Sequence, residues 1–102
     1  MSRIRLLPND RKQQILDAAL LVAQSPGGWA RLTRGAVANE AECAQGLISN
    51  YFGTMIAFRR AIMRAAISAE NLSVIAQGLA AGDACAKKAP DELKQKALNS
   101  LA

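Results

Sequence analysis

Apolar residues recur along the chain with the spacing of three to four residues that is typical of amphipathic α-helices. A first helix is predicted to begin near Pro8, because proline followed by Asn and Asp suits a first helical turn. Ser25–Gly28 is predicted to end it. Trp29 follows at once, and we expect its large side chain to fix the loop against the core. The apolar face of this helix consists of Ile15, Ala18, Ala19, Val22 and Ala23.

Two short helices joined by a tight turn are predicted next. Thr33 suits the N-cap of the first, since its hydroxyl can accept a hydrogen bond from an amide of the first turn. The second is predicted over residues 45–52, with Gly53 at its C-terminal end. Glu42–Ala44 lies between the two helices, and this spacing is the format of a helix-turn-helix.

The rest of the chain predicts a long helix and a short closing helix. Thr54 suits the N-cap of the long helix, and Gly82 with Asp83 suits its end. Apolar residues recur along it in the seven-residue period of a helical bundle or coiled coil: Phe58, Ile62, Ala65, Ala69, Leu72, Ala76 and Leu79. Pro90 and the two acids after it predict the start of the closing helix, whose apolar face holds Leu93, Ala97, Leu98 and Leu101.

Composition favours the same fold class. The 102 residues suit one domain, and 21 alanines against 12 Val, Ile and Thr residues favour helix over strand. We therefore predict an all-α fold, with a three-helix head that contains the helix-turn-helix, then a long helix and a short C-terminal helix for dimerisation. The head covers residues 1–53 and the dimerisation region residues 54–102, together forming one compact unit.

Charge is unevenly distributed along the chain. The net charge is +5, and up to Arg64 there are nine basic residues against four acids. From residue 65 onward four lysines balance four acids. A basic first half beside a neutral second half indicates that one part faces a polyanion and the other faces protein.

Several functional classes are disfavoured. The chain has no histidine, and Cys43 and Cys85 stand alone in sequence, so neither a metal site nor a Ser-His or Cys-His pair is expected. We expect no enzymatic activity and no cofactor. Two lone thiols predict a reduced cytoplasmic protein, with a disulfide as the alternative. No apolar run approaches the ~20 residues of a membrane span, and the apolar stretch at the start is too short for a signal peptide.

The polar side chains predicted on the second short helix suit DNA recognition. Gln45 and Asn50 can pair with adenine through two hydrogen bonds, and Ser49 can contact either strand. Lys and Glu, which ordinarily cover exposed helices, are absent from residues 45–52. The alternative is an ordinary polar surface.

Five segments form a recognisable pattern: Ile15-Leu16-Asp17-Ala18-Ala19, Gly28-Trp29, Leu32-Thr33, Val37-Ala38 and Gly46-Leu47-Ile48-Ser49-Asn50-Tyr51-Phe52-Gly53. Through this pattern, residues 11 to about 67 resemble the DNA-binding domain of TetR-type repressors. The last segment is similar to the recognition helix of the choline-responsive repressor branch.

The sequence departs from the family pattern at three points. Glu42-Cys43-Ala44 stands where the family has Gly-Val-Ser, and Glu42 is expected to strain or lengthen the turn. Met55 replaces a lysine that usually contacts phosphate, for which Arg59 or Arg60 is a candidate substitute. Only about 50 residues follow Thr54, so the family's effector domain is not expected, and a small-molecule effector is disfavoured.

The resemblance implies a repressor that binds a palindromic operator as a homodimer. Base contacts are expected from Gln45, Leu47, Ser49 and Asn50, with Leu47 against a thymine methyl. Matching family positions imply phosphate contacts from Thr33, Arg34 and Tyr51. Arg3 and Arg5 are interpreted either as an arm that contacts DNA or as a frayed basic terminus.

Dimerisation is assigned to the apolar surface of the second half. The expected interface consists of Phe58, Ile62, Ala65, Ala69, Leu72, Ala76, Leu79, Leu93, Leu98 and Leu101. In the alternative, the closing helix folds back on its own long helix and covers this surface within one chain. An alternative function is a protein-interaction module or antirepressor that pairs with a related regulator.

Overall fold

The computed structural model describes residues 8–100, and this part of the chain is helical with no strand. The predicted all-α class is therefore confirmed. The helices are α1 (Pro8–Ala23), α2 (Arg34–Ala41), α3 (Gln45–Phe52), α4 (Met55–Ser68), α5 (Leu72–Ala80), α6 (Ala84–Lys87) and α7 (Asp91–Asn99).

The predicted bounds of the two short helices are confirmed by their caps. The hydroxyl of Thr33 accepts a hydrogen bond from the Ala36 amide at 3.1 Å, which fixes the start of α2. Gly53 adopts a φ of +76° and ends α3. The Thr54 hydroxyl accepts from the Ala57 amide at 3.1 Å and starts α4. Consequently α2, α3 and α4 follow one another with only short connections.

The predicted long helix is wrong, because the chain breaks between α4 and α5. Glu70 adopts a left-handed φ of +52°, and the Asn71 amide donates to the Ala66 carbonyl at 2.8 Å. The Asn71 side chain then caps α5 by accepting from the Val74 amide at 3.2 Å. This break lets α5 fold back against α4, which buries apolar residues of both helices.

The structure corrects the expected dimer interface at four of its ten residues, which are buried within one chain. Phe58, Ile62 and Ala76 have no exposed surface, and Leu93 is 8% exposed. These four residues belong to one core that joins the predicted head, residues 1–53, to the predicted dimerisation region. In this core α4 packs on α1 and α3, while α5 packs on α7. The alternative, in which the closing helix covers the second half of its own chain, therefore describes these residues correctly.

The other residues of the expected interface retain exposed surface or fall outside the description. Ala65, Leu72 and Leu79 are half-buried, while Ala69 and Leu98 are exposed. Leu101 lies outside the described residues. Any interface between two copies must therefore use a smaller surface than the heptad pattern predicts.

Hydrogen bonds from Gln77 on α5 connect the second half to the head. Its side-chain carbonyl accepts from the Trp29 amide at 2.9 Å. Its side-chain amide donates to the carbonyls of Ala23 at 2.7 Å and Ser25 at 3.1 Å. Trp29 itself is only 4% exposed, as predicted for a residue that fixes this loop. The loop between α1 and α2 is thus held by α5.

Candidate nucleic-acid interface

The helix α3 is anchored by its apolar side. Ile48 has no exposed surface, and the ring of Phe52 lies against that of Phe58 on α4, with centroids 4.9 Å apart. Because α3 also packs on α2, both neighbouring helices fix its orientation. The opposite side of α3 is directed outward as a consequence.

Three of the four predicted base-contacting residues lie on this outward side. Gln45, Ser49 and Asn50 are exposed. Gln45 and Ser49 are four residues apart and therefore lie on the same side of the helix, and Asn50 follows Ser49 directly. Their side chains make no hydrogen bond to another residue within 8–100. Two carboxamides and a hydroxyl therefore present unused donors and acceptors on the exposed side of α3. We name Gln45, Ser49 and Asn50 the α3 polar face.

Leu47 and Tyr51 border the α3 polar face instead of belonging to it. Both are half-buried and pack against the core. The Tyr51 ring meets Phe52 edge-on, with centroids 6.5 Å apart and an interplanar angle of 63°. Leu47, predicted to contact bases, thus has less free surface than its three companions.

Thr33 and Arg34, predicted to contact phosphate, lie beside the far end of α3. An Nη of Arg34 donates to the carbonyl of Gly53 at 3.4 Å, so the start of α2 reaches the residue that ends α3. Arg34 is half-buried, and Thr33 is exposed with its oxygen accepting the capping bond. The hydroxyl proton of Thr33 and the free Nη donors of Arg34 can serve an anion at this edge. The Nε of Arg34 is buried and bonds no described residue.

Arg59 has a structural role that the sequence did not indicate. Its guanidinium donates to the carbonyls of Trp29 at 2.9 Å and Leu32 at 3.3 Å, and lies 4.8 Å from the Trp29 ring centroid. Arg59 therefore supports the loop that leads into Thr33. Of the two arginines considered as substitutes for the missing lysine, Arg60 is the exposed one.

The turn before α3 contains a strained residue. Glu42 adopts φ 56° and ψ 48°, the left-handed region that disfavours residues with a Cβ. Its amide donates to the Asn39 carbonyl at 3.3 Å, and the Cys43 amide donates to that of Ala38 at 2.9 Å. The turn keeps its three residues, so the expected strain is present without lengthening.

Replacing Glu42 with glycine is expected to raise the free energy of unfolding by about 1 kcal/mol, because glycine adopts this conformation without steric conflict. Urea denaturation measures the change. Glu40→Gly is the matched control: Glu40 is exposed within α2, where glycine should lower the free energy of unfolding by about 1 kcal/mol. A destabilised Glu42→Gly variant would contradict the strain assigned to this turn.

Within residues 8–100, no three His, Cys, Asp or Glu residues lie together in a way that could hold a metal ion. None of the described helices combines the length and apolar character needed to cross a membrane. Arg3 and Arg5, the predicted arm, lie outside the described residues.

Comparison with known proteins yields no match. No family model matches the sequence, and no curated protein or solved structure is similar to it at a significant level.

Proposed function

We propose that this protein is a sequence-specific DNA-binding transcriptional repressor with a TetR-type head, which acts as a homodimer on a palindromic operator. The observation that supports this proposal best is the α3 polar face. Gln45, Ser49 and Asn50 are exposed, and their side chains form no hydrogen bond to any residue within 8–100, on a helix that Ile48 anchors in the core. Such side chains suit the base edges of a major groove, which admits an α-helix.

The charges around α3 support an anionic partner. No residue of α3 is charged. Arg34, the first residue of α2, reaches the C-terminal end of α3 through its hydrogen bond to the Gly53 carbonyl. Arg31 is exposed in the loop just before α2. In the proposed complex, phosphate contacts from Thr33, Arg34 and Tyr51 set affinity and register, while the α3 polar face selects the sequence.

A salt titration on random duplex DNA tests whether the protein binds DNA at all. The logarithm of the binding constant should fall linearly with the logarithm of salt concentration, with a slope of about −0.9 for each phosphate neutralised. Fluorescence anisotropy of a labelled duplex provides the measurement. Absent binding, together with capture of a related regulator, would instead favour the protein-interaction module.

A homodimer is proposed through the groove between α5 and α7. This groove has a volume of about 500 Å³, and its apolar lining includes Leu79 and Leu98, the latter 47% exposed. Asp91 and Lys94 line the same groove and form an ion pair at 3.1 Å. A surface that carries both charges can face its own copy across a two-fold axis without net repulsion. Two heads would then be available for two half-sites.

Leu98→Glu is expected to convert the dimer into a monomer, because it removes the apolar contact of Leu98 and a carboxylate is costly to bury in an interface even beside Lys94. Sedimentation equilibrium should show half the wild-type mass, and affinity for a palindromic duplex should fall at least tenfold. Leu21→Glu is the matched control, since Leu21 is 55% exposed on α1, outside the proposed interface. Unchanged mass and affinity in folded Leu98→Glu would remove this groove from the interface.

A further inference from the structure

Most glycines of this chain are explained by its own fold. Gly27, Gly53 and Gly82 have positive φ angles between 74° and 76°. A Cβ on Gly28 would lie 2.3 Å from the Val22 carbonyl oxygen, and one on Gly78 would lie 2.3 Å from the Met63 methyl carbon. Backbone freedom explains the first three positions. The lack of a side chain explains Gly28, where a Cβ would collide with backbone, and Gly78, where it would crowd the Met63 and Ala86 side chains.

Gly35 is explained by a neighbour on the candidate interface. A Cβ there would lie 3.2 Å from the side-chain nitrogen of Gln45. The carboxamide of Gln45 therefore lies over the start of α2. The methyl group of an alanine at position 35 would crowd this carboxamide. This glycine accommodates a member of the α3 polar face.

Neither a positive φ nor a close neighbouring atom explains the glycine at position 46. It is the second residue of α3, and its φ is not in the positive region. Apart from its chain neighbours and the backbone of its own helix, a Cβ built on it would meet no described atom within 4 Å. Glycine is the poorest helix former after proline, so this position weakens an eight-residue helix without any benefit to the packing around it. The space beside Gly46 is open to a partner outside the chain.

The position of Gly46 relates that space to the α3 polar face. Gly46 follows Gln45 directly and lies three and four residues before Ser49 and Asn50, so it shares their exposed side of the helix. Ser and Asn are short side chains, and they can reach base edges only if the α3 backbone lies close to the DNA. An absent side chain at position 46 permits that approach.

We propose that Gly46 is the point of closest approach between the protein and DNA, where the wall of the major groove packs directly against the α3 backbone. Gly46 thereby sets the depth at which Ser49 and Asn50 enter the groove. It is a specificity-determining position that forms no hydrogen bond through a side chain. This inference rests on the proposed DNA-binding function.

Gly46→Ala tests the inference because its effects on stability and on binding should have opposite signs. The melting temperature should rise by about 4 °C, since alanine favours the helix and meets open space in the free protein. Affinity for a duplex selected by the wild-type protein should fall at least tenfold. Gly46→Val should bind still more weakly, because its side chain is larger.

Ser68→Ala is the control for added helix propensity. Ser68 is exposed at the end of α4, about 20 Å along the helix axis from Met55, and its substitution should leave affinity unchanged. Gly46→Ala that binds the selected duplex as tightly as wild type overturns the inference and leaves DNA binding intact. Wild-type protein without salt-dependent binding to any duplex overturns the proposed function itself.

Discussion

Gln77→Leu is expected to lower the free energy of unfolding by about 2–4 kcal/mol. Leucine has a similar size but cannot replace the bonds to the Trp29 amide and the Ala23 carbonyl, at 2.9 and 2.7 Å. Trp29 is almost wholly buried, and a polar backbone group left without a partner in such a place costs about 1–3 kcal/mol. Because Gln77 joins α5 to the loop before α2, its loss should loosen the support of the head.

Urea denaturation followed by circular dichroism provides the measurement. Gln13→Leu is the matched control, since Gln13 is exposed on α1 and its amide bonds only Asp17 of the same helix, at 2.8 Å. Its free energy of unfolding should change by less than about 0.5 kcal/mol. Equal midpoints for Gln77→Leu and wild type would show that the link between α5 and the loop does not stabilise the fold.

Asn50→Ala and Gln45→Ala are each expected to weaken binding to a selected operator by about 1–3 kcal/mol, the value of a good pair of hydrogen bonds to a base. Both side chains are exposed and bond no other described residue, so removing them should leave the fold intact. Binding to random duplex should change little, because phosphate contacts dominate there.

The comparison of operator with random duplex provides the control for this experiment. Asn99→Ala, at an exposed position near the end of α7, should bind both duplexes like wild type. If Asn50→Ala lost equal affinity for operator and random DNA, Asn50 would contact phosphate instead of a base. Unchanged affinity for both would place it outside the interface.

Much of the head could be predicted from local sequence signals. Thr33, Gly53 and Thr54 each carry a capping or stop preference that acts within one helical turn, so the bounds of α2 and α3 follow from neighbouring residues. The exposure of Gln45, Ser49 and Asn50 follows from helical periodicity in the same way.

The break between α4 and α5 could not be predicted from hydrophobic spacing. Ala69 and Leu72 continue the seven-residue pattern across it, and Glu70 adopts its left-handed conformation without the glycine that usually indicates such an end. Asn71, a good N-cap residue, was the one available signal. The pattern therefore placed Phe58 and Ile62 in a dimer interface, whereas folding back places them in the core.

The long-range polar contacts could not be predicted from the sequence either. Gln77 meets residues about 50 positions away, and Arg59 meets a loop about 30 positions away. Neither spacing follows any local rule, because each contact depends on how α5 and α4 pack against the head. Leu47, to which the resemblance assigns a base contact, packs partly against the core.

Selection of bound sequences from a random duplex pool tests the central claim most directly, that α3 reads DNA sequence. The wild-type chain should enrich an inverted repeat whose half-sites lie about one helical turn, roughly 10 base pairs, apart. The Asn50→Ala variant should enrich a motif that is relaxed at one position of each half-site. A wild-type pool that stays random after repeated rounds would contradict sequence-specific recognition by this protein.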